Sequence, residues 1–543
     1  MKNNKIKYLT ICLVTIISIA FLSSLTSCIP TTPVIEPTTE PITEPAIQPP
    51  SKPITDETSF IQEIPKISLP FTPAREARGV WMSRFDYIKT IKTQNPDSIK
   101  QYIKDTFSKA KNANLNMIFF QVRGNGDAFY KSNYEPWSNM LTGTLGKDPG
   151  WDPLDFAIET AHELGLELHA WINTFPAWRG IEDPINTIPI QPILIHPEWV
   201  VCDSAGNPMP RTENHYISFS PGIPAVHDHI VNVVDDIISK YNVDGIHFDY
   251  IRYPEGSPKL GYSHDSISVK RFNSKQGNPL NLDWEDWQRD QVTAFIAKAY
   301  DSITSIKPWV KVSAAVIGNY NNSRWNGYHI VYQDARRWSE LGKIDMIIPM
   351  IYYGRSGKIN KFPVTIRRWK EKFSVERPVL PGLGAYKIPW EEILEEIDDV
   401  RMIGMQGCVF FAASSFDDEK WLSIKSAKFQ YPALIPALPW KDSTPPLSPE
   451  NFNAEKNETG IKLTWKPPTF QNDSDTIQHF VIYRSKSLPI DLNNGENIFA
   501  IVSGDQFEYT EESEEIDRDW YYTITALDNA ENESEPVQEI KVE

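Results

Sequence analysis

The sequence predicts an α/β fold: a (β/α)8 TIM-like barrel followed by a small all-β, immunoglobulin-like sandwich. Two observations lead there. From Arg75 on, short apolar strands alternate with amphipathic helical stretches until about residue 435, and beyond residue 450 only short alternating strands remain. A doubly wound open sheet is the alternative for the first part, but no G-x-G-x-x-G follows a strand.

The chain begins with an address rather than a fold. Lys2, Lys5 and Lys7 precede the apolar run Tyr8 to Leu25, the layout of a secretory signal. The run ends in Leu25-Thr26-Ser27-Cys28, which resembles a bacterial lipobox, so residues 1–28 read as a lipoprotein signal with Cys28 as the lipidation site. A transmembrane anchor is the competing reading. The Cys followed by a Pro-rich stretch favours the lipid, and both readings place the rest of the chain outside the cytoplasm, held at a membrane. Residues 29–73 contain 11 prolines and read as an extended tether. Cys202 and Cys408 lack any nucleophile-like context and read as buried thiols.

Residues 74–435 carry the barrel. The predicted strands are 78–83, 117–123, 167–173, 245–250, 311–317, 345–352, 378–383 and 407–412. Helical stretches such as 97–113, 153–164 and 224–241 lie between them. In such a barrel the chemistry sits at the C-terminal strand ends. Side chains two apart share a face, so Gln121 with Arg123, Glu167 with His169, Trp171 and Asn173, and His247 with Asp249 all point inward. Polar groups inside three consecutive strands are costly unless partnered or functional. A lone His169 would read as structural; the convergence reads as a site.

Asp249, at the end of the fourth strand beside His247 and Arg252, is the leading catalytic carboxylate. The structural alternative is an Asp that pairs with Arg252 to hold the loop. Asp127, in the turn Gly124-Asn125-Gly126-Asp127, is the candidate for a second carboxylate, although such residues often only cap backbone N–H groups. Of 17 Trp residues, all but Trp465 and Trp520 precede residue 450. Trp137, Trp151, Trp178 and Trp325 follow strands or lie in loops, where aromatic faces suit stacking on sugar rings.

Charge and hydropathy exclude other classes. With 54 Lys+Arg against 71 Asp+Glu the net charge is −17, which argues against a nucleic-acid partner. A mean hydropathy of −0.39 excludes a multispanning membrane protein. The surplus is local: residues 450–543 hold 7 basic and 21 acidic side chains, and residues 74–449 are close to neutral. A near-neutral barrel suits an uncharged or weakly charged glycan.

The motifs Arg75-Glu-Ala-Arg-Gly-Val-Trp81, Phe120-Gln-Val-Arg-Gly-Asn-Gly-Asp-Ala-Phe-Tyr130, Pro136-Trp-Ser138, Leu141-Thr-Gly143, Leu168-His-Ala-Trp-Ile-Asn173, Asp244-Gly-Ile-His-Phe-Asp-Tyr-Ile-Arg-Tyr-Pro254, Ser220-Pro-Gly-Ile-Pro224 and Gly384-Ala-Tyr-Lys387 occur in order. Together they resemble the glycosyl hydrolase-like family 10 proteins from residue 74 to about 420. The resemblance implies an extracytoplasmic (β/α)8 glycosidase, often a lipoprotein, one branch of which cuts peptidoglycan glycan strands stripped of their stem peptides. It implies a polysaccharide substrate, no cofactor and no metal. It adds Arg78, Trp81, Gln121, Arg123, His169, Trp171, Asn173, His247, Arg252, Tyr352, Tyr386 and Lys387 as substrate-binding candidates beside Asp249 and Asp127. The chain departs from the family 18 chitinase pattern D-G-x-D-x-D-x-E: Ile251 stands at the acid position and His247 replaces the middle Asp. A mechanism built on that Glu is excluded, and the second catalytic group is left open. Assistance by a substrate N-acetyl group would need only one strong carboxylic acid.

Residues 436–449 are a second Pro-rich connector. The runs 461–465, 480–483, 507–510 and 520–527 have sandwich spacing and resemble a fibronectin type III domain over residues 450–543, with Trp465 on an early strand and Tyr521 or Tyr522 on a late one. Such a module serves spacing or docking. Two other readings stand beside the hydrolase. One is a glycan-binding lipoprotein without a competent acid pair. The other is a metal-dependent deacetylase using His169, His247 and Asp249, disfavoured because Gly79-Val80-Trp81 supplies no His-x-His.

Overall fold

The strands of the barrel are buried almost throughout, because one face meets the barrel interior and the other a helix layer. The computed structural model describes residues 72–542 apart from 90–92, 357–359, 374–376, 457–459, 470–476 and 513–518. The signal, the lipidation site Cys28 and almost all of the tether lie outside the described residues. Eight parallel strands close on themselves: β1 (Ala77–Met82), β2 (Met117–Arg123), β3 (Glu167–Asn173), β4 (Gly245–Asp249), β5 (Lys311–Ile317), β6 (Met346–Ile351), β7 (Gly382–Leu383) and β8 (Gly407–Phe411). Closure is the β1–β8 pairing, with Gly79 opposite Val409. In the run 378–383 Val379 already bridges Ile347 of β6, but regular pairing of the seventh strand with both neighbours is confined to Gly382 and Leu383.

A helix follows each strand: α1 (Pro96–Asn112), α2 (Pro153–Glu163), α3 (Pro224–Lys240), α4 (Trp284–Ile306), α5 (Ala335–Glu340), α6 (Phe362–Lys372), α7 (Trp390–Met402) and α8 (Asp418–Ala427). Their starts are written in the sequence. Asn95-Pro96 and Asp152-Pro153 each place a capping side chain before a proline at the first helical position; the caps accept from Ser98 N and from Leu154 N and Asp155 N. The buried faces of α1 (Ile99, Ile103, Phe107) and α3 (Ile230, Val234, Ile237) pack on the outer barrel surface.

Inside the barrel the side chains form layers. Met117, Phe119, Trp81, Trp171, Ala315, Ile348 and Val409 make a compact apolar interior. The alternation expected on β3 and β4 is the one observed, but the pairing of β2 with β3 shifts between Gln121 and Arg123, so Gln121, Asn173 and Asp249 close the C-terminal end of this interior while Arg123 turns to Glu135.

Beyond the barrel, strands β9 (Glu450–Lys456), β10 (Gly460–Lys466), β11 (His479–Ser485), β12 (Ile498–Ser503), β13 (Glu508–Glu512), β14 (Tyr521–Leu527) and β15 (Ile540–Lys541) form an antiparallel sandwich. One sheet runs β9-β10-β13 and the other β12-β11-β14-β15. Leu463, Trp465, Phe480, Ile482, Tyr522 and Ile524 fill the space between them. The sandwich is seated on the N-terminal end of the barrel. Lys311, buried at the start of β5, reaches Glu167 of β3 and Glu531 of the sandwich. Arg75 bonds Glu533 at 3.0 Å and the Glu531 carbonyl at 2.9 Å. Ala74 and Leu434 share an apolar cluster with Val481, Tyr483 and Leu527. The connector is pinned too: Trp440 donates to Asp345 at 2.7 Å and Lys441 pairs with the same carboxylate at 3.0 Å.

Candidate active site

The strand ends bring Asp249 to the mouth of the barrel, 7% exposed. Its Oδ1 accepts from the Tyr250 N–H at 2.6 Å and from Arg252 Nη1 at 3.3 Å. Tyr250 holds a left-handed backbone (φ 50°), uncommon for a bulky residue, where the chain leaves β4. Among the described residues no hydrogen bond engages Asp249 Oδ2. Burial pushes the Asp249 carboxyl above the usual carboxylate range, and Arg252 only partly offsets it. Burial thus disfavours the charged form of Asp249, the direction of shift that suits a general acid.

The walls around it are aromatic. Tyr352, at the end of β6, is near enough to Asp249 that burial and that carboxylate both raise its phenol pKa. Tyr352 stacks on Phe411 at 5.4 Å, and Tyr386 meets both edge-on at 5.8 Å. Tyr386 is 53% exposed and offers its ring to solvent, with the Lys387 ammonium 5.5 Å from it. On the opposite side the Arg252 guanidinium lies 4.3 Å over the Tyr250 ring, whose edge meets Tyr216 at 5.5 Å.

Beneath these groups the interior polar residues are spent on one another. Asn173 Oδ1 accepts from Gln121 Nε2 and Trp171 Nε1, both at 3.1 Å, and its amide donates to the Gly124 carbonyl at 3.0 Å. Trp81 Nε1 donates to His247 Nε2 at 2.9 Å, and His247 Nδ1 meets Ser313 Oγ at 2.9 Å. Burial holds His247 well below its ordinary pKa, so the ring is neutral.

Several expected site residues stand elsewhere. Arg78 points out of the barrel near its N-terminal end, where it pairs with Glu76 at 2.8 Å and donates to the Tyr431 carbonyl at 2.7 Å. The reason is parity: Ala77 and Gly79 take the inward positions of β1. His169 faces inward but lies four residues short of the mouth, bonded to Glu167 at 3.0 Å and packed on Phe119. Gly245 permits that position, since a Cβ there would collide with the imidazole. Arg123 is fully buried, forked onto Glu135 and bonded to the carbonyls of Asn173, Thr174 and Pro176. It holds the β3 exit in place rather than facing the cleft. Asp127 accepts from Asn125 N at 2.8 Å, the turn-capping role. Trp137, Trp151 and Trp178 pack on the outer core, and Trp325 is exposed in the loop after β5.

For a metal the donor set is poor. Both His247 nitrogens are engaged, His169 lies below Phe119, and among the described residues no three His, Cys, Asp or Glu side chains gather as a ligand set. Cys202 and Cys408 are free thiols, and burial raises both pKa values, Cys202 to about 11.

Three residues at the mouth were not anticipated. Arg84, two residues past β1, is 1% exposed, and its Nη2 donates to Tyr216 OH at 2.8 Å and Asn125 Oδ1 at 3.3 Å. Tyr216 and Arg179 belong to the long segment between β3 and α3, which carries no periodic signal. Position alone marked Arg84, as a charged residue just beyond a barrel strand.

The glycosyl hydrolase-like 10 profile matches residues 76–397. Glycosyl hydrolase YngK of Bacillus subtilis (strain 168) is 28% identical over 505 residues, 86% of this chain and 94% of its own length. Glycosyl hydrolase DigH of Escherichia coli (strain K12) is 30% identical over 339 residues, 57% of this chain and 73% of its own. Among solved structures, the glycoside hydrolase domain of PgaB (BpsB) from Bordetella bronchiseptica aligns at a TM-score of 0.47 and 12% identity, covering 65% of this chain and 99% of that one. The match over residues 76–397, which takes in the first seven barrel strands, places this chain in the glycosyl hydrolase-like 10 family.

Proposed function

We propose that the protein hydrolyses glycosidic bonds in a polysaccharide of the cell envelope or extracellular space, with the glycan strands of peptide-stripped peptidoglycan as its substrate. The observation that carries this reading is Asp249: a buried carboxyl whose pKa burial raises, set among aromatic rings at the barrel mouth, with Oδ2 unengaged among the described residues. Family membership supports glycan cleavage, and the signal-like residues 1–28 with Cys28 support an extracytoplasmic, lipid-anchored location. Among the described residues no helix is long and apolar enough to cross a membrane.

The chemistry follows from one acid. Asp249 Oδ2–H gives its proton to the glycosidic oxygen as the C1–O bond breaks and its electron pair passes to the leaving sugar. The carbonyl oxygen of the substrate's 2-acetamido group bonds to C1 from the other face, with Tyr352 as the donor at hand to orient it. Water then attacks C1, its proton returns to Asp249, and the ring opens back to the acetamide with retention. Asp127, capping its own turn, is not called upon.

Mass spectrometry of products from intact and peptide-stripped peptidoglycan tests the proposal, with Asp249→Asn as control. New reducing ends that vanish in the variant are expected. Cleavage undiminished by Asp249→Asn would overturn it. The ion pair of Asp249 with Arg252 at 3.3 Å, a loop-holding contact, favours one other reading, a glycan-binding lipoprotein. Saturable binding of the stripped strands without reducing ends would establish that instead.

A further inference from the structure

Arg84 poses an energetic problem. Its guanidinium is buried, its Nε and Nη1 have no hydrogen-bond partner, and no carboxylate of the described residues lies within ion-pairing distance. A buried charge left uncompensated costs several kcal/mol. Only glycine at position 124 lets the backbone lie this close, since a Cβ there would collide with the guanidinium. The fold therefore accommodates a cation that it does not neutralise.

The surroundings suggest what neutralises it. Tyr216 covers Arg84, with the guanidinium 5.7 Å from its ring centroid, and Arg179 stands 5.8 Å from the same centroid. Arg179 is half-buried, and among the described residues its guanidinium hydrogen-bonds only the Glu213 carbonyl, through Nε. Tyr216 in turn meets Tyr250, the residue after Asp249. Arg211, in the same segment, is already paired with Asp183. Two guanidiniums without carboxylate partners among the described residues thus flank one tyrosine ring beside the candidate acid.

We infer that Arg84 and Arg179, on either side of Tyr216, form a subsite for a carboxylate carried by the sugar chain. Arg179 makes the first contact from the cleft. Arg84 supplies a fixed positive charge in a water-excluded place and gains the carboxylate as a partner when the Tyr216 hydroxyl turns away from Nη2. Arginine suits the task because its fork matches a carboxylate bidentately. The inference deepens the glycan-hydrolase reading and rests on it. It also explains how one barrel would tell a free carboxylate from one masked as an amide, which carries no charge.

The test uses three polymers: peptide-stripped peptidoglycan strands, whose carboxylate is on a lactyl ether; a polyuronate, whose carboxylate is on the ring; and a neutral chito-oligosaccharide. For Arg179→Gln, KM for the carboxylated polymer that is cut should rise about tenfold with kcat unchanged, the loss expected of one charge-assisted contact. The neutral oligomer should be unaffected, and added salt should raise the wild-type KM only for the anionic substrate. Arg84→Lys, which keeps the charge and loses the fork, should show the same selectivity in milder form, with thermal unfolding confirming a folded chain. Equal effects on charged and neutral polymers, or no effect on either, would overturn the subsite. If wild type cuts none of the three, the hydrolase reading fails on its own. Affinity electrophoresis of the same variants then still decides the subsite by whether only anionic polymers lose binding.

Discussion

The indole of Trp81 on β1 donates to Nε2 of His247 on β4, across the barrel interior, at 2.9 Å. Because an indole nitrogen can only donate, Nε2 must be the acceptor, and the imidazole proton sits on Nδ1 and is given to Ser313. His247 is therefore a neutral spacer under the site, and its low pKa keeps it so across the physiological range.

Trp81→Phe removes the donor and leaves a buried imidazole nitrogen unpaired, which should cost about 1–3 kcal/mol of stability. Denaturant unfolding measures it. The same variant should add no histidine limb to the pH–activity profile, since burial holds His247 neutral, well below its ordinary pKa.

Asp249→Asn should lower kcat on the cleaved glycan by about 10²–10⁴-fold, the range for losing a general acid. Stability should not fall. Burial raises the folded pKa of Asp249 above its unfolded value, so above the unfolded pKa the ionised group weakens the native state and a neutral isostere removes that penalty. In wild type the activity should fall as pH rises through the raised pKa of the acid, a limb above the ordinary carboxylate range that steady-state kinetics would locate.

Glu396 on α7 is fully buried with both oxygens unpartnered, and burial together with Glu392 raises its pKa to about 9. The unfolded carboxyl, with its ordinary value of 4.5, loses its proton first. Stability from this group is thus retained below pH 4.5 and declines as pH rises toward about 9, by on the order of a few kcal/mol. Glu396→Gln should flatten that slope in thermal melts from pH 5 to 9, and an unchanged slope would refute the assignment.

The sandwich is expected to unfold with the barrel. Lys311 depends on Glu531 as well as Glu167, and removing one partner of a buried ion pair costs about 3–5 kcal/mol. Calorimetry of the full chain should show one transition, and deleting residues 450–543 should lower the barrel's melting temperature sharply. Two separate transitions, with the first leaving the barrel intact, would show an independent spacer instead.

Strand positions were legible because fully buried parallel strands are written as apolar runs, and β2, β3 and β5 begin and end where those runs do. The starts of α1 and α2 are legible from Asn95-Pro96 and Asp152-Pro153. Even the inward direction of Asp249, Asn173 and Gln121 follows from a period of two. What parity could not convey is depth. His169 and Asp249 share an inward face, yet register places one in the middle of the barrel and the other at its mouth. Nor could it convey side-chain pairing, which turned His247 and Arg123 into supports.

The sequence by itself thus determined the barrel, the sandwich and the one carboxylate at the end of the fourth strand, since local hydrophobic pattern dictates them. Only the tertiary structure decided that Arg84 is a buried cation without a counter-charge and that the sandwich closes the far end of the barrel. Both depend on contacts between residues more than a hundred positions apart, Arg84 with Tyr216 and Lys311 with Glu531, and no local periodicity encodes such meetings.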